Sequence, residues 1–250
     1  MSASIRVGIG GWVYPPWRGV FYPPGLPQAR ELSHASRQVT AIEINGTFYG
    51  AQKPSSFRRW YDETPADFVF SLKGPRYATH RSDLATAAGS IDRLVSSGVL
   101  ELRDKLGPIL WQFAPWTRYE EAGFGAFLEA LPHELGGRAI RHVVEVRHGS
   151  FVSPSFTELL HRHSVAVALV DDDNYPAFED VTADFVYARL RRCTEDEPLG
   201  YPPDALDRWA ERFRRLQSQE GRDCFVYFIN GAKLRAPAAA TALLQRLRGD

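Results

Sequence analysis

Eight short apolar runs recur along the chain, each followed by a stretch with helical patterning. They are "RVGIGGW" (6–12), "VTAIEIN" (39–45), "DFVFSLK" (67–73), "GPILWQF" (107–113), "HVVEVRH" (142–148), "SVAVALVD" (164–171), "DFVYARL" (184–190) and "DCFVYFIN" (223–230). Runs this short and this continuously apolar are what parallel strands covered on both faces require. Between them lie "LPQARELSHASR", "PSSFRRWYDE", "SDLATAAGSIDRLVSSGVLELRDKL", "RYEEAGFGAFLEAL", "SPSFTELLHRH", "PDALDRWAERFRRLQSQ" and the tail "PAAATALLQRLRG". Several of these open on Ser or Pro-Asp start signals. The segment after the sixth run, "DDNYPAFEDVTA", is only weakly helical. Eight alternating units in 250 residues predict an α/β fold. It is a single-domain TIM-like (β/α)₈ barrel over residues 1–250, with an irregular or missing helix after strand six. An open doubly wound sheet would take fewer strands, and no linker, repeat or low-complexity tract divides the chain.

Strand parity then places the polar residues. Side chains alternate between faces, so Ile42 and Ile44 face the helices while Glu43 and Asn45 face inward. The same rule pairs Ser71 with Lys73, Glu145 with Arg147 and Tyr187 with Arg189, and adds Gln112, Asp171 and Asn230 at the ends of their strands. All of these lie near strand carboxyl ends, where barrel enzymes build their active sites. Three acids, Glu43, Glu145 and Asp171, face three bases, Lys73, Arg147 and Arg189. Such a set persists in a low-dielectric interior only if its members pair and hydrogen-bond. It reads either as an ion-pair network that plugs the barrel or as a pocket for a small anionic or polar substrate. In the pocket reading Glu43 or Glu145 moves protons and the three bases clamp negative charge.

Composition narrows the partners. Thirty acidic residues balance thirty basic ones, so no global field marks a nucleic-acid or membrane-surface binder. Cys193 and Cys224 match no metal spacing and are too few for a disulfide scaffold, which fits a reduced cytoplasm. Neither a signal peptide nor a membrane-spanning run is present in the sequence.

Two histidines follow strands directly, His80 in "GPRYATHRSDL" and His148 in "EVRHGSF", and either can exchange protons near neutral pH. Glu43, His80, Glu145, His148 and Asp171 have the ligand types of a divalent-metal centre but no short local signature. "GIGGW" departs from the G-x-G-x-x-G dinucleotide fingerprint and reads as a tight turn. The aromatic "GGWVYPPWRGVFYPPG" reads first as a rigid loop over the barrel mouth and second as a stacking surface. "QFAPWTRY" offers Trp116 and Arg118 as lid residues.

Taken in order, "GGWVYPPWRGVFYP", "AIEINGTFY", "TPADFVFSLKGPRYATH", "LGPILWQF", "VEVRHGSF" and "VYARL" resemble the successive signatures of the domain-of-unknown-function 72 family, also called YecE-like. The resemblance runs over almost the whole chain. It implies a TIM-barrel-like fold and an unassigned biochemical function. The recurrent positions it implies include Trp12, Glu43, Asn45, Lys73, His80, Gln112, Glu145, Arg147, His148, Arg189 and Asn230. Departures from the family pattern stand at Ile9, Gly10, Arg191, Arg192 and Ile229, which puts in doubt any role for a hydroxyl on the first strand or a histidine after the seventh.

The leading expectation is an enzyme doing acid-base chemistry on a small anionic or polar metabolite at the carboxyl-terminal face of the barrel. Glu43, Glu145, Lys73 and His148 are the catalytic candidates. Trp12, Asn45, His80, Gln112, Arg147, Asp171, Arg189 and Asn230 are the substrate-binding candidates. No cofactor is expected. The alternatives are a divalent-metal phosphoesterase, acting on nucleic acid, and a non-catalytic ligand- or nucleic-acid-binding protein. The sequence leaves the oligomeric state open.

Overall fold

A computed structural model describes residues 3–249. The parallel strands are β1 (Ile5–Gly10), β2 (Ala41–Ile44), β3 (Val69–Lys73), β4 (Leu106–Gln112), β5 (His142–Glu145), β6 (Ala166–Val167), β7 (Leu169–Asp171), β8 (Phe185–Leu190) and β9 (Asp223–Phe228). Their order in the sheet is β6-β5-β4-β3-β2-β1-β9-β8-β7. The two ends of that list, β6 and β7, are one chain segment interrupted at Ala168. Its first half pairs with β5 and its second half with β8, so the sheet closes on itself. All eight runs read from the sequence are therefore barrel strands, the sixth counted twice. A separate two-residue hairpin, Glu134–Leu135 with Arg138–Ala139, sits outside the sheet.

Helices cover the outside: α1 (Glu31–Ala35), α2 (Gly46–Tyr49), α3 (Pro54–Asp62), α4 (Arg76–Thr79), α5 (Ala88–Val95), α6 (Glu121–Glu129), α7 (Pro154–Arg162), α8 (Pro203–Ser218) and α9 (Ala236–Arg248). Proline opens α3, α7 and α8 at their first position, where its missing N–H costs nothing. The predicted helix over 82–106 is broken instead. α5 ends before Gly98, which turns at φ 100°, and a 3₁₀ run continues from Val99 to Lys105. Pro54 packs so close that a Cβ on Gly98 would meet it at 2.8 Å, so the break seats α3.

No helix follows β7. Asp172 Oδ1 accepts a hydrogen bond from the backbone N–H of Asn174 at 2.9 Å, forming a local turn that competes with a helix start. Pro176 follows, and Thr182 clips the segment back by accepting from Val167 N at 2.9 Å and donating to Val165 O at 2.7 Å. The connection is an ordered loop that reaches the mouth of the barrel.

Two apolar layers result. Ile42 and Ile44 pack outward with residues such as Leu32 and Phe57. The interior is filled by Ala41, Leu110, Val143, Tyr187, Phe225 and Tyr227 among others. Gly8 and Gly10 on β1 have no room for a side chain: a Cβ on Gly8 would collide with the Ala41 carbonyl, and one on Gly10 would lie 2.8 Å from Ile229 Cδ1.

Candidate active site at the carboxyl end of the barrel

Above the apolar interior the strands present charge. Gly10, Glu43 and Ser71 stand side by side across β1, β2 and β3, and Gln112 stands beside Glu145 across β4 and β5. Glu43 and Glu145 are both fully buried. Arg189 joins them. Its Nε and Nη2 donate to Glu43 Oε2 and Oε1 at 3.0 and 3.1 Å, and its Nη1 donates to Glu145 Oε2. Tyr187 Oη donates to Glu43 Oε2 at 2.8 Å, and Arg147 Nε donates to Glu145 Oε1 at 2.8 Å. Beside this set Ser71 Oγ and Tyr227 Oη share a hydrogen bond of 2.7 Å. Two carboxylates and two guanidiniums thus cancel, which is the condition for keeping them in the interior.

That network is the floor of a cavity rather than its wall. The cavity, about 480 Å³, is lined by Lys73, Arg147, Arg189, Arg191 and Lys233, with His80, Asn45, Gln112 and Asn230 between them and no carboxylate. Glu43 and Glu145 do not reach it. Burial alone would raise the Glu145 carboxyl, but Arg189 and Arg147 outweigh it and hold the group at about 2. Every carboxylate oxygen of these two acids accepts a hydrogen bond from arginine.

Charge above the floor is less well matched. Lys73, the last residue of β3, is 7 % exposed, and its Nζ lies 3.9 Å from the centre of the Phe48 ring. Among the described residues no carboxylate pairs with it. Burial first, and Arg189 next, lower its pKa to about 8. Arg191 follows the inward parity of Tyr187 and Arg189 beyond the end of β8, and its side chain is 10 % exposed. Among the described residues its Nε and Nη1 make no hydrogen bond. The Asp172 carboxylate stands 3.3 Å from Nη1, close enough for charge attraction but out of line for a bond. The loop after β7 inserts Tyr175 between the guanidiniums of Arg147 and Arg191, at 4.7 and 5.0 Å from its ring centre. Lys233 lies over Tyr14, and Trp17 Nε1 donates to the Lys233 carbonyl at 2.9 Å. The aromatic loop "GGWVYPPWRGVFYPPG" therefore braces one wall, its Trp17 fully buried.

His80 lies 5.3 Å from Phe48 and 5.7 Å from Trp116, centre to centre. Burial, then Lys73, Arg147 and Arg76, lower its pKa, so the imidazole is neutral at neutral pH. Its Nε2 is buried without a hydrogen-bond partner among the described residues. Asn230 adopts φ 64°, a left-handed turn that Asn tolerates, at the exposed rim of the cavity.

Three predicted site residues lie elsewhere. Trp12 packs edge-on against Trp60 and Phe70, between β3 and α3. His148 uses Nδ1 to accept from Ser150 N at 3.1 Å, capping the 3₁₀ turn Gly149–Phe151. Asp171 is on the outer face of β7, because Val170 takes the interior position; it accepts from Tyr201 Oη at 2.8 Å and pairs with Arg192 at 2.9 Å. The set proposed for a divalent metal is dispersed in the same way. Among the described residues no three of His, Cys, Asp and Glu gather as metal ligands. Arg191, Lys233 and Tyr175 are lining or wall residues that the strand pattern did not select. Parity extended by two residues would have found Arg191; Lys233 and Tyr175 lie on turns, where no periodicity applies.

No helix among the described residues is long and apolar enough to cross a membrane. Solved structures share the architecture. A DUF72 family protein from Thermotoga maritima superposes with a TM-score of 0.77 at 20% identity, covering 99% of this chain and 100% of that one. One from Enterococcus faecalis gives 0.74 at 14%, covering 98% and 96%. The protein SacUVDE gives 0.59 at 12%, covering 98% and 99%, a likeness of fold alone. In sequence, UPF0759 protein YunF of Bacillus subtilis is 26% identical over 159 residues, which cover 62% of this chain and 54% of YunF. UPF0759 protein YecE of Escherichia coli is 26% identical over 180 residues, covering 67% and 59%. The matched segments thus span little more than half the length of these relatives. The family model described as "Protein of unknown function DUF72" matches residues 6–250, and the chain belongs to that family.

Proposed function

We propose that the protein is an enzyme acting on a small metabolite that carries a phosphate or carboxylate, bound in the cavity at the carboxyl end of the barrel. The observation that carries this reading is the surplus of positive charge in the lining: Arg147 and Arg189 are neutralised by Glu145 and Glu43 beneath the cavity, whereas Lys73 and Lys233 have no ion-pair partner and no carboxylate lines the cavity among the described residues. Arginines with free donors recognise phosphate and carboxylate oxygens in a forked geometry, and such charge-assisted bonds are about twice as strong as neutral ones. Arg191, nine-tenths buried with two nitrogens unbonded, has the donor capacity for an incoming anion. Asn45 and Gln112 supply neutral polar contacts that orient the rest of the molecule.

Proton transfer is assigned to Lys73 and His80, in place of the glutamates. Both face the cavity, and both are shifted toward their neutral forms by burial and by neighbouring cations. A neutral imidazole and a lysine with a raised free-amine fraction beside an anion clamp are suited to proton abstraction next to a carbonyl or to nucleophilic attack. A divalent-metal phosphoesterase reading finds no gathered ligand set among the described residues to support it. No resident cofactor is proposed.

Crystals soaked in tungstate, a heavy phosphate mimic, test the location. Strong anomalous density between Arg147, Arg191 and Lys73 is the expected result. Density confined to surface arginines of α8 would overturn the reading.

A further inference from the structure

Lys73 has a setting that anion binding alone does not require. Thr47 Oγ1 donates to the Lys73 carbonyl at 2.7 Å and Gly74 N donates to Leu110 O at 2.7 Å, which fixes where the side chain leaves β3. Its Nζ then lies over the face of Phe48. The two acids below it, Glu43 and Glu145, are already paired with Arg189 and Arg147. An ammonium group here is a desolvated cation among guanidiniums, and the ring face returns only part of the lost hydration. A lysine held beside other cations and away from water is an activated nucleophile.

We infer that Lys73 condenses with the carbonyl group of a small substrate whose carboxylate or phosphate is held by Arg147 and Arg191. This rests on the anionic-substrate reading above and names the reacting group of that substrate. The amine nitrogen adds to the carbonyl carbon; a C–N bond forms and the C=O π pair moves to oxygen. A proton passes from nitrogen to that oxygen, giving a carbinolamine. The nitrogen lone pair then expels the hydroxyl, which takes a proton and leaves as water, and the iminium nitrogen gives up its proton to replace the one consumed. Amine plus carbonyl becomes imine plus water, with no oxidant or reductant. His80, 5.3 Å from Phe48 between ring centres, lines the same cavity and is the neutral base that carries the proton between these atoms. The lowered pKa of Lys73, about 8, leaves roughly a tenth of it as free amine at pH 7.

Incubating the full chain with sodium cyanoborohydride and either pyruvate or dihydroxyacetone phosphate traps an imine as a stable secondary amine. The chain has four lysines, Lys53, Lys73, Lys105 and Lys233, so peptide mapping identifies the modified one. Labelling is expected at Lys73, roughly tenfold or more faster than at exposed Lys53, since a lower pKa enlarges the free-amine fraction. Its rate should rise with a midpoint near pH 8, and inorganic phosphate should suppress it. Preference for one probe tells a carboxylate substrate from a phosphate one. Labelling by neither probe, labelling no faster than at Lys53, or labelling at Lys233 instead would overturn the inference while leaving the anion pocket standing. Failure of inorganic phosphate to bind at all would overturn the pocket reading itself. A Lys73→Arg chain, which keeps the charge, should bind phosphate and lose the adduct; an undiminished adduct in that variant would also sink the proposal.

Discussion

At the scale of single residues, the two sets of charges in the barrel mouth have opposite energetic signs. Arg189 is tied to both Glu43 and Glu145, so removing it strands the buried Glu43 and leaves Glu145 with Arg147 alone. Arg189→Met should cost about 3–5 kcal/mol in denaturant unfolding, the range for breaking a buried pair from one side. Lys73 behaves the other way. Its folded pKa, about 8, is below the unfolded value of 10.5, so the unfolded chain holds the proton more tightly. The resulting penalty on the native state is complete below pH 8 and disappears as pH rises through 10.5. Lys73→Met should therefore stabilise the protein by about 2–3 kcal/mol at pH 7, with the gain shrinking toward pH 10 in parallel unfolding curves. A gain of stability on deleting a conspicuous polar residue is the mark of a site strained for function.

The same residues show what a sequence can say about a site. Alternation along "AIEIN" placed Glu43 inward and Ile42 and Ile44 outward, as found. It could not say that Arg189 would saturate Glu43, because parity reports a face and not a partner. The sorting of charges into a neutral floor and a cationic wall arises only when strands far apart in sequence close into a ring. Asp171 illustrates the limit: an acid at the end of an apolar run was read as inward, and the strand's own parity, set by Val170, turned it out.

Among elements, β1 is the one whose sequence is dictated by its neighbours. Gly8 and Gly10 are the places where β1 has no room for a side chain. A Cβ at Gly8 meets rigid backbone at Ala41, whereas a Cβ at Gly10 meets the tip of Ile229 at 2.8 Å and, less tightly, Asn45 Nδ2 at 3.3 Å. Gly8→Ala should cost about 3 kcal/mol or more, at the upper end of overpacking effects. Gly10→Ala should cost less, and Ile229→Val should recover part of it in a double-mutant cycle, since the clash is with the deleted Cδ1. Additive losses would contradict that pairing. Connections were less legible than strands. The weak pattern after the sixth run marked a real irregularity, and its chemistry, an Asp172 turn, Pro176 and the Thr182 clip, explains the missing helix. The long helix over 82–106 was misread because helical patterning on both sides of Gly98 hides the left-handed turn that separates them.

For the whole molecule, eight strand signals and a closed ring agree because barrel closure needs only local patterning and short connections. Acid should open that ring through His142. Its Nδ1 accepts from Trp111 Nε1 at 3.1 Å and its Nε2 donates to Pro132 O at 2.8 Å, so the native state has room only for the neutral ring. Burial drives its pKa down to about 4. The unfolded chain, with an ordinary value near 6.5, binds the extra proton between those limits. Stability should fall by about 3 kcal/mol as pH drops from 6.5 to 4. A His142→Gln chain, less stable at pH 7, should show a flatter fall over the same range.

The central claim is that the wall of the cavity is built for an anion. Calorimetric titration of the protein with inorganic phosphate, repeated on Arg191→Ala and at two ionic strengths, tests it most directly. The account predicts saturable binding at one site, weakened roughly tenfold or more by the substitution and only modestly by salt, because the Arg191 side chain is nine-tenths buried. Unsaturable heats, or equal affinity in the two proteins, would contradict it.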